Sequence, residues 1–263
     1  MEFPLSRAEA SVLEILPEAG STNDELVRRA TGTESGNWPD LSVVATANQT
    51  QGRGRLGRSW VSPAGKSLAI SVLLRPRTPT GDPLPMDTLG WIPLMAGLAM
   101  TRTVRSVVAE GVSLKWPNDV LIGDRKVCGI LSELLPDTSG VVIGAGLNLT
   151  LDTEELPVDT ATSLSIAGAS DTDPDRLLSS YLRELDALYT SFLAFSGDAV
   201  GCGLQRDVSE ACGTLGRSVQ VELPSGERLV GTATGIDPDG RLIVDTNAGI
   251  TTVAAGDVTH LRY

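Results

Sequence analysis

The pattern of this chain changes once, at Gly213, and that change limits the architectures open to it. Before it, β-branched apolar runs alternate with stretches of helical periodicity. After it only short β-rich runs remain, at 218–223, 227–234, 241–246 and 250–254. Pro-Ser-Gly, Asp-Pro-Asp-Gly and Asn-Ala-Gly separate those runs, and such residues supply the backbone conformations of tight turns. The reading is an α+β chain in two parts. Residues 1–213 form a main domain with helices packed against a mixed sheet. Residues 214–263 form a small barrel or sandwich, marginal alone and expected to pack on the main domain.

Within the main domain, residues 12–18 read as a strand leading into Ser21, Thr22 and Asn23. All three suit a helix N-cap, with Asp24 and Glu25 in the favourable first turn. That helix runs to about Ala30 and stops at Thr31-Gly32. Residues 41–47 and 68–74 are apolar runs suited to buried strands. A Gly/Arg loop at 49–58 lies between them. Residues 86–109 have helical periodicity, with Pro93 placed to kink it. Strands follow at 112–116, 120–122, 127–134 and 141–149, the last containing Gly144 and Gly146. Glycines inside a strand mark a close approach by ligand or backbone. Helices are expected at 175–194 and, shorter, near 202–211.

Composition removes several function classes. The net charge is −12, which disfavours general affinity for nucleic acid or an anionic membrane. No apolar run reaches the roughly 18–20 residues of a membrane span. The N-terminus, Met1-Glu2-Phe3-Pro4, shows no basic region followed by an apolar stretch, so no secretory signal is visible. Cys128, Cys202 and Cys212 are odd in number and lack CxxC spacing, against a disulfide framework or a zinc knuckle. A cytoplasmic chain is the expectation. The single histidine, His260, reads as an exposed strand-end residue and argues against a Ser-His-Asp triad or an HExxH site.

Cations are distributed unevenly. Only Lys66, Lys115 and Lys126 are lysines, so a retained lysine suggests a demand for a compact point charge. Between Asp40 and Asp82 there is no acidic residue, while Arg53, Arg55, Arg58, Lys66, Arg75 and Arg77 all fall there. A basic block inside an acidic protein suggests a small polyanion such as a nucleotide.

Two apparent nucleotide motifs fail on context. Residues 52–57 spell GxGxxG, but the dinucleotide version needs a helix at the glycines and an acid about 20 positions on. Neither is present. Gly65-Lys66-Ser67 looks like the end of a phosphate loop, but the position of its first glycine is Trp60. What remains is a flexible arginine loop able to wrap a ligand and bind phosphate bidentately; a solvated RNA-binding or plain surface loop is the bland alternative. Elsewhere, Lys115-Trp116-Pro117-Asn118-Asp119 groups a cation, an aromatic, an amide and a carboxylate. Lys126 precedes Cys128-Gly129, and Gly144-Ala145-Gly146-Leu147-Asn148 is a glycine-exposed strand. Singly each is weak, and Trp116 or Asn118 reads equally as packing or turn. Together they are the parts list for nucleotidyl transfer.

Taken in order, Ser21-Thr22-Asn23, Gln49 with the 52–58 loop, the 115–119 segment, the 126–131 segment and 144–148 resemble the biotin–protein ligases over nearly the whole chain. Lipoate ligases share the fold but lack this combination of loop and Lys-Trp-Pro-Asn-Asp. The resemblance implies a class II synthetase-like catalytic domain followed by an SH3-like β-barrel. It implies ATP-dependent activation of biotin to biotinyl-5′-AMP, then transfer to a lysine of a biotin carboxyl carrier domain. Ser21, Thr22, Asn23, Gln49, Gly52, Arg53 and Gly129 would surround biotin. Arg55 and Lys126 would contact both biotin and the adenylate. Trp60 would lie near adenine; Arg58 and Lys115 would meet the ATP phosphates; Gly144, Ala145 and Asn148 would line the nucleotide side. Asn118 and Asp119 would lie where Mg²⁺ and phosphates gather, with Asp119 also the candidate to orient or deprotonate the acceptor lysine.

Some family members carry an N-terminal winged helix that binds an operator. Ser21-Thr22-Asn23 comes too early here to leave room for one, so no DNA binding or repressor role is expected. A monomer or weak homodimer, acting without a membrane, completes the expectation. Cys128 stands where a small non-thiol residue is expected, and reads as a neutral replacement.

Overall fold

The computed structural model describes residues 2–261. The chain opens with helix α1 (Pro4–Glu9), strand β1 (Val12–Leu16), helix α2 (Thr22–Thr31) and strand β2 (Ser42–Thr46). A minimal hairpin, β3 (Gly52–Arg53) and β4 (Ser59–Trp60), precedes β5 (Ser67–Leu74) and α3 (Trp91–Arg105). Then come β6 (Val112–Lys115), β7 (Asp119–Ile122), β8 (Arg125–Leu134), β9 (Val141–Asn148), α4 (Pro174–Ala194) and α5 (Leu204–Ala211). The C-terminal part holds β10 (Ser218–Glu222), β11 (Arg228–Ile236), β12 (Leu242–Thr246), β13 (Gly249–Val253) and β14 (Asp257–His260).

The main sheet has the order β1-β2-β5-β9-β8-β7-β6, parallel only between β1 and β2. Helices cover both faces, which is why β5 is buried at all eight positions and is apolar at all but Ser67 and Ser71. On one face Leu26 and Ala30 of α2, one turn apart, pack with Val44, Leu73 and Val142. On the other, α3 lies between the sheet and α4. The apolar stripe of α4 (Leu178, Leu182, Leu185, Tyr189 and Phe192) seals that layer. Asp173 caps α4 by accepting from Arg176 N, with Pro174 in the first turn.

Two expectations need correction. The helix near residue 86 begins as a 3₁₀ turn (Met86–Gly90), and α3 starts only at Trp91. Pro93 therefore falls in the first turn, where its missing N–H forfeits no intrahelical bond, and it does not interrupt the helix. The C-terminal strands form an antiparallel sheet of order β13-β12-β11-β10-β14 whose end strands do not pair, so the barrel is not closed. Its apolar face has another cover, since Val219, Val221, Ala233, Leu242 and Val258 belong to the same core as α3 and β6. Two buried indoles fasten the sheet to the main domain: Trp91 Nε1 donates to Pro238 O at 2.8 Å and Trp116 Nε1 to Gly240 O at 3.0 Å. Among the described residues no helix is long and apolar enough to cross a membrane.

Candidate active site

Glycines decide where the site forms. Strands β5, β9 and β8 lie side by side, with Gly144 opposite Ser71 on one flank, and Gly146 opposite Gly129 on the other. A Cβ on Gly144 would stand 2.5 Å from Asn23 Oδ1, so the start of α2 sits directly on the strand. A Cβ on Gly146 would stand 2.6 Å from the Trp60 ring, and one on Gly129 2.7 Å from Lys126 Nζ. The close approaches expected from glycines inside a strand are present, and side chains of the chain itself make them.

Around those glycines lies a polar framework. Ser21 caps α2 by accepting from Asp24 N at 3.4 Å. Gln49 Oε1 accepts from Thr22 N at 2.8 Å and from Thr22 Oγ1 at 3.1 Å. Ser71 Oγ donates to Asn23 Oδ1 at 2.6 Å, and Asn23 Nδ2 donates to Glu133 Oε2 at 2.6 Å. The Asn23 amide is thus engaged at both ends by protein.

These residues enclose a pocket of about 70 Å³ lined by Ser21, Thr22, Asn23, Gln49, Arg53, Arg55, Trp60, Lys126, Gly129, Gly144 and Ala145. It opens into a cleft of about 680 Å³ between the two sheets. Arg55, Arg58, Trp60, Lys115, Asn118, Asp119, Lys126 and Asn148 line the cleft, with residues 257–260 from the C-terminal sheet. Arg55, Trp60, Asn118, Lys126, Gly129 and Gly146 border both spaces. Gly52 borders neither. It lies behind Gln49 and the Trp60 carbonyl, each 2.2 Å from where its Cβ would be, so its role is close packing.

The cations are held in different ways. Lys126 Nζ lies 2.6 Å from Asp119 Oδ1 on the neighbouring strand. Arg55 is half-buried and donates to Asn118 Oδ1 at 2.7 Å and Gly256 O at 3.1 Å. Asn118 is oriented for this, because its Nδ2 donates to Ile130 O at 2.9 Å. Burial pulls the Arg55 guanidinium below its ordinary value, with Asp119 and Asp257 nearby opposing the shift; an arginine stays charged regardless. Arg53 pairs with Asp24 and Glu133, and Arg58 with Asp257. Among the described residues no carboxylate pairs with Lys115.

Several readings change here. The basic block does not converge on one ligand. Lys66 pairs with Asp152 and Glu155, Arg75 reaches Ala30 O and Ser139, and Arg77 bonds Gly81 O. Trp116 is 1% exposed and points to the C-terminal sheet, so Trp60 supplies the aromatic of the site. His260 is half-buried, not exposed. Cys128 is buried, and burial pushes its thiol up to about 12, a neutral group on the cleft wall. Ser71, Glu133, residues 157–161 and the C-terminal strand went unread. A serine inside the apolar run 68–74 was a usable signal. The others reach the site through long-range contacts with no local pattern.

Compared with known proteins, residues 20–148 match the biotin/lipoate A/B protein ligase family and residues 214–261 the biotin protein ligase C terminal domain. The chain is 39% identical over 253 residues to the biotin–[acetyl-CoA-carboxylase] ligase of Mycobacterium tuberculosis, spanning 95% of this chain and 89% of that one. The biotin protein ligase of Aquifex aeolicus, solved in complex with biotin and ATP, superposes with a TM-score of 0.77 at 26% identity, covering 96% and 100% of the two chains. That of Leishmania major, solved with biotinyl-5-AMP, gives a TM-score of 0.59 at 25% identity, covering 93% and 99%.

Proposed function

Since the chain belongs to the biotin–protein ligase family and is a biotin–protein ligase, we propose that it joins biotin to ATP as biotinyl-5′-AMP and passes the biotinyl group to one lysine of a biotin carboxyl carrier domain. The observation that carries this reading is the position of Lys126, on the border between a small polar pocket and a nucleotide-sized cleft.

The small pocket suits the ureido ring. Ser21, Thr22 and Gln49 offer donors and acceptors to a group with one carbonyl and two N–H bonds. At about 70 Å³ it holds little more than water, whereas small-molecule pockets run to several hundred Å³. Biotin entry therefore lifts the Trp60 ring and the 52–60 hairpin off Gly146. The carboxylate at the end of the valeryl chain then reaches Lys126, which exchanges Asp119 for it.

Carboxylate and α-phosphate are both anionic, and the barrier to their meeting is electrostatic. Lys126 and Arg55 stand between the two spaces and offset that repulsion; Lys115 and Arg58 accept the charge developing on pyrophosphate. The new bond is carboxylate O to α-phosphorus, and the bond from that phosphorus to the pyrophosphate oxygen breaks. The hairpin, lowered again, keeps water from the mixed anhydride. In the transfer step the acceptor amine nitrogen bonds the biotinyl carbonyl carbon while the bond from that carbon to the AMP oxygen breaks. The amine must lose a proton, against an unperturbed pKa of about 10.4. Asp119, released from Lys126, is placed to orient it.

Mg²⁺ ordinarily rides on nucleotide phosphates with one or two protein carboxylates. Asp119, which lines the cleft and faces Lys126, would be the carboxylate to hold such an ion beside the phosphates, where the ion would offset their charge.

The test is exchange of labelled pyrophosphate into ATP by the purified protein. Exchange with biotin, and none with lipoate or octanoate, is the expected result. Exchange with lipoate alone, or with no acid at all, would overturn the reading.

A further inference from the structure

His260 is the only histidine of the chain and the last residue of β14, on the wall of the larger cleft that it shares with Lys115. Its Nε2 lies 3.1 Å from Thr214 Oγ1 and its Nδ1 3.4 Å from Arg217 Nη1. A guanidinium only donates. Nδ1 must therefore accept, which leaves the ring proton on Nε2, donated to Thr214.

Thr214 is fully buried, and the same hydroxyl oxygen accepts the Trp116 backbone N–H at 3.2 Å. The two donors use both lone pairs of that oxygen. Trp116 directly follows Lys115, and Leu114 on its other side accepts from Gly213 N at 2.8 Å. The backbone that carries Lys115 into the cleft is thus held by residues 213 and 214, and the far partner of Thr214 is His260. Arg217 closes the arrangement by pairing with Asp124 of the main domain at 2.9 Å.

We infer that His260 is a positioning residue for the nucleotide side of the cleft: through Thr214 it sets the backbone at Trp116, and with it the reach of Lys115. The inference rests on the ligase reading only in assigning Lys115 to the ATP phosphates. The ring must be neutral to accept at Nδ1, and its surroundings favour this. Burial first, then the charges of Arg217 and Lys115, hold it down to about 4, with Asp124 opposing.

With one histidine, a long-range ¹H–¹⁵N spectrum of the full chain reports this ring alone. A neutral ring protonated at Nε2 is expected at pH 7; an imidazolium, or a proton on Nδ1, would overturn the inference. In pyrophosphate exchange, His260→Ala should raise KM for ATP about tenfold while KM for biotin moves less than about twofold, as loss of one buried hydrogen-bond partner implies. His260→Gln, whose amide reaches Thr214, should recover most of the loss. Equal shifts in both KM values, or none, count against the inference.

Calorimetric titration with the ATP analogue AMPPNP, in the absence of biotin, reads the nucleotide side without turnover, because no carboxylate is present to attack its α-phosphorus. A wild-type protein that binds AMPPNP in a His260-dependent way, yet exchanges no pyrophosphate, would fail the ligase reading and leave this one standing. Unchanged AMPPNP affinity in His260→Ala would overturn this one alone. Should that variant not fold, Thr214→Val removes the shared acceptor and is read in the same way.

Discussion

Beneath the small pocket, Asn23, Ser71, Thr22 and Gln49 spend their polar atoms on one another, on the backbone and on Glu133, largely buried between α2 and the central strands. On the roof, the 52–60 hairpin over pocket and cleft, Arg53 and Arg58 reach carboxylates across open surface, with side chains 49% and 66% exposed. Gln49 and Arg53 are close neighbours in sequence, yet the two sets differ in how readily they exchange partners. A buried hydrogen-bonded group left unsatisfied costs about 1–3 kcal/mol, whereas an exposed ion pair is worth at most about 1 kcal/mol. The floor is therefore fixed before any ligand arrives, and the roof can trade Asp24, Glu133 or Asp257 for phosphate at little cost.

The largest effect is expected at the border between floor and roof. Lys126→Ala should lower biotin-dependent pyrophosphate exchange by about 10²–10³-fold, the range seen when one charge-stabilising donor is lost. A loss under tenfold would remove Lys126 from the centre of the chemistry. Two glycines then separate the layers. Gly144→Ala drives a Cβ against the buried Asn23 amide and should cost about 1–3 kcal/mol by overpacking, read as a fall in melting temperature. Gly146→Ala meets the Trp60 ring, which the hairpin can carry away. Its melting temperature should hardly change while biotin binding weakens. Equal thermal losses in the two variants would show that floor and roof form one rigid unit.

Smaller effects follow on the roof and beneath the site. Arg55→Ala should release biotinyl-adenylate to solution about tenfold faster, the scale of one or two lost hydrogen bonds from a charged group; full retention of the adenylate would count against the hairpin as its shield. Cys128 should resist iodoacetamide at pH 8, because only the thiolate reacts and burial favours the thiol. The sign for stability follows from the raised value. The contribution is complete below the ordinary 9.0 and is lost as pH rises towards about 12. A denaturation series should show that decline flattened in Cys128→Ala. Lys66→Ala should leave exchange kinetics unchanged, since its partners Asp152 and Glu155 lie away from both spaces.

Much of the main sheet was legible because its signals are local. The run 68–74 is apolar but for Ser71 and became a strand buried on both faces. Ser21 before Thr22, Asn23, Asp24 and Glu25 marked a helix start, and Ser21 caps it. Gly144 and Gly146 announced close approaches before the approaching groups were known. Helix α1 was not read, and of strand β14 only its end at His260 was. The first is six residues long and held by Asp175 of α4, whose carboxylate accepts from Leu5 N and Ser6 N. The second is four residues long and has its one partner in β10. Neither is long enough to show a period of its own.

For the candidate site, the ordered motifs identified which segments meet, and Lys115, Asn118, Asp119 and Lys126 do line one cleft. The same motifs did not say what each side chain would touch. Trp116 and Trp60 look alike in sequence, yet one anchors the C-terminal sheet and the other covers Gly146. The arginines of the loop are chemically equivalent, and their partners at Glu133 and at Gly256-Asp257 come from two distant places. By itself the sequence determined element type, helix start and the positions where only glycine fits, because those follow from backbone sterics and local hydrogen bonding. Tertiary structure alone decided which cations converge, that His260 is half-buried, and that the small sheet stays open. Ion-pair partners and burial depend on groups brought together across the fold, and that juxtaposition leaves no periodic trace along the chain.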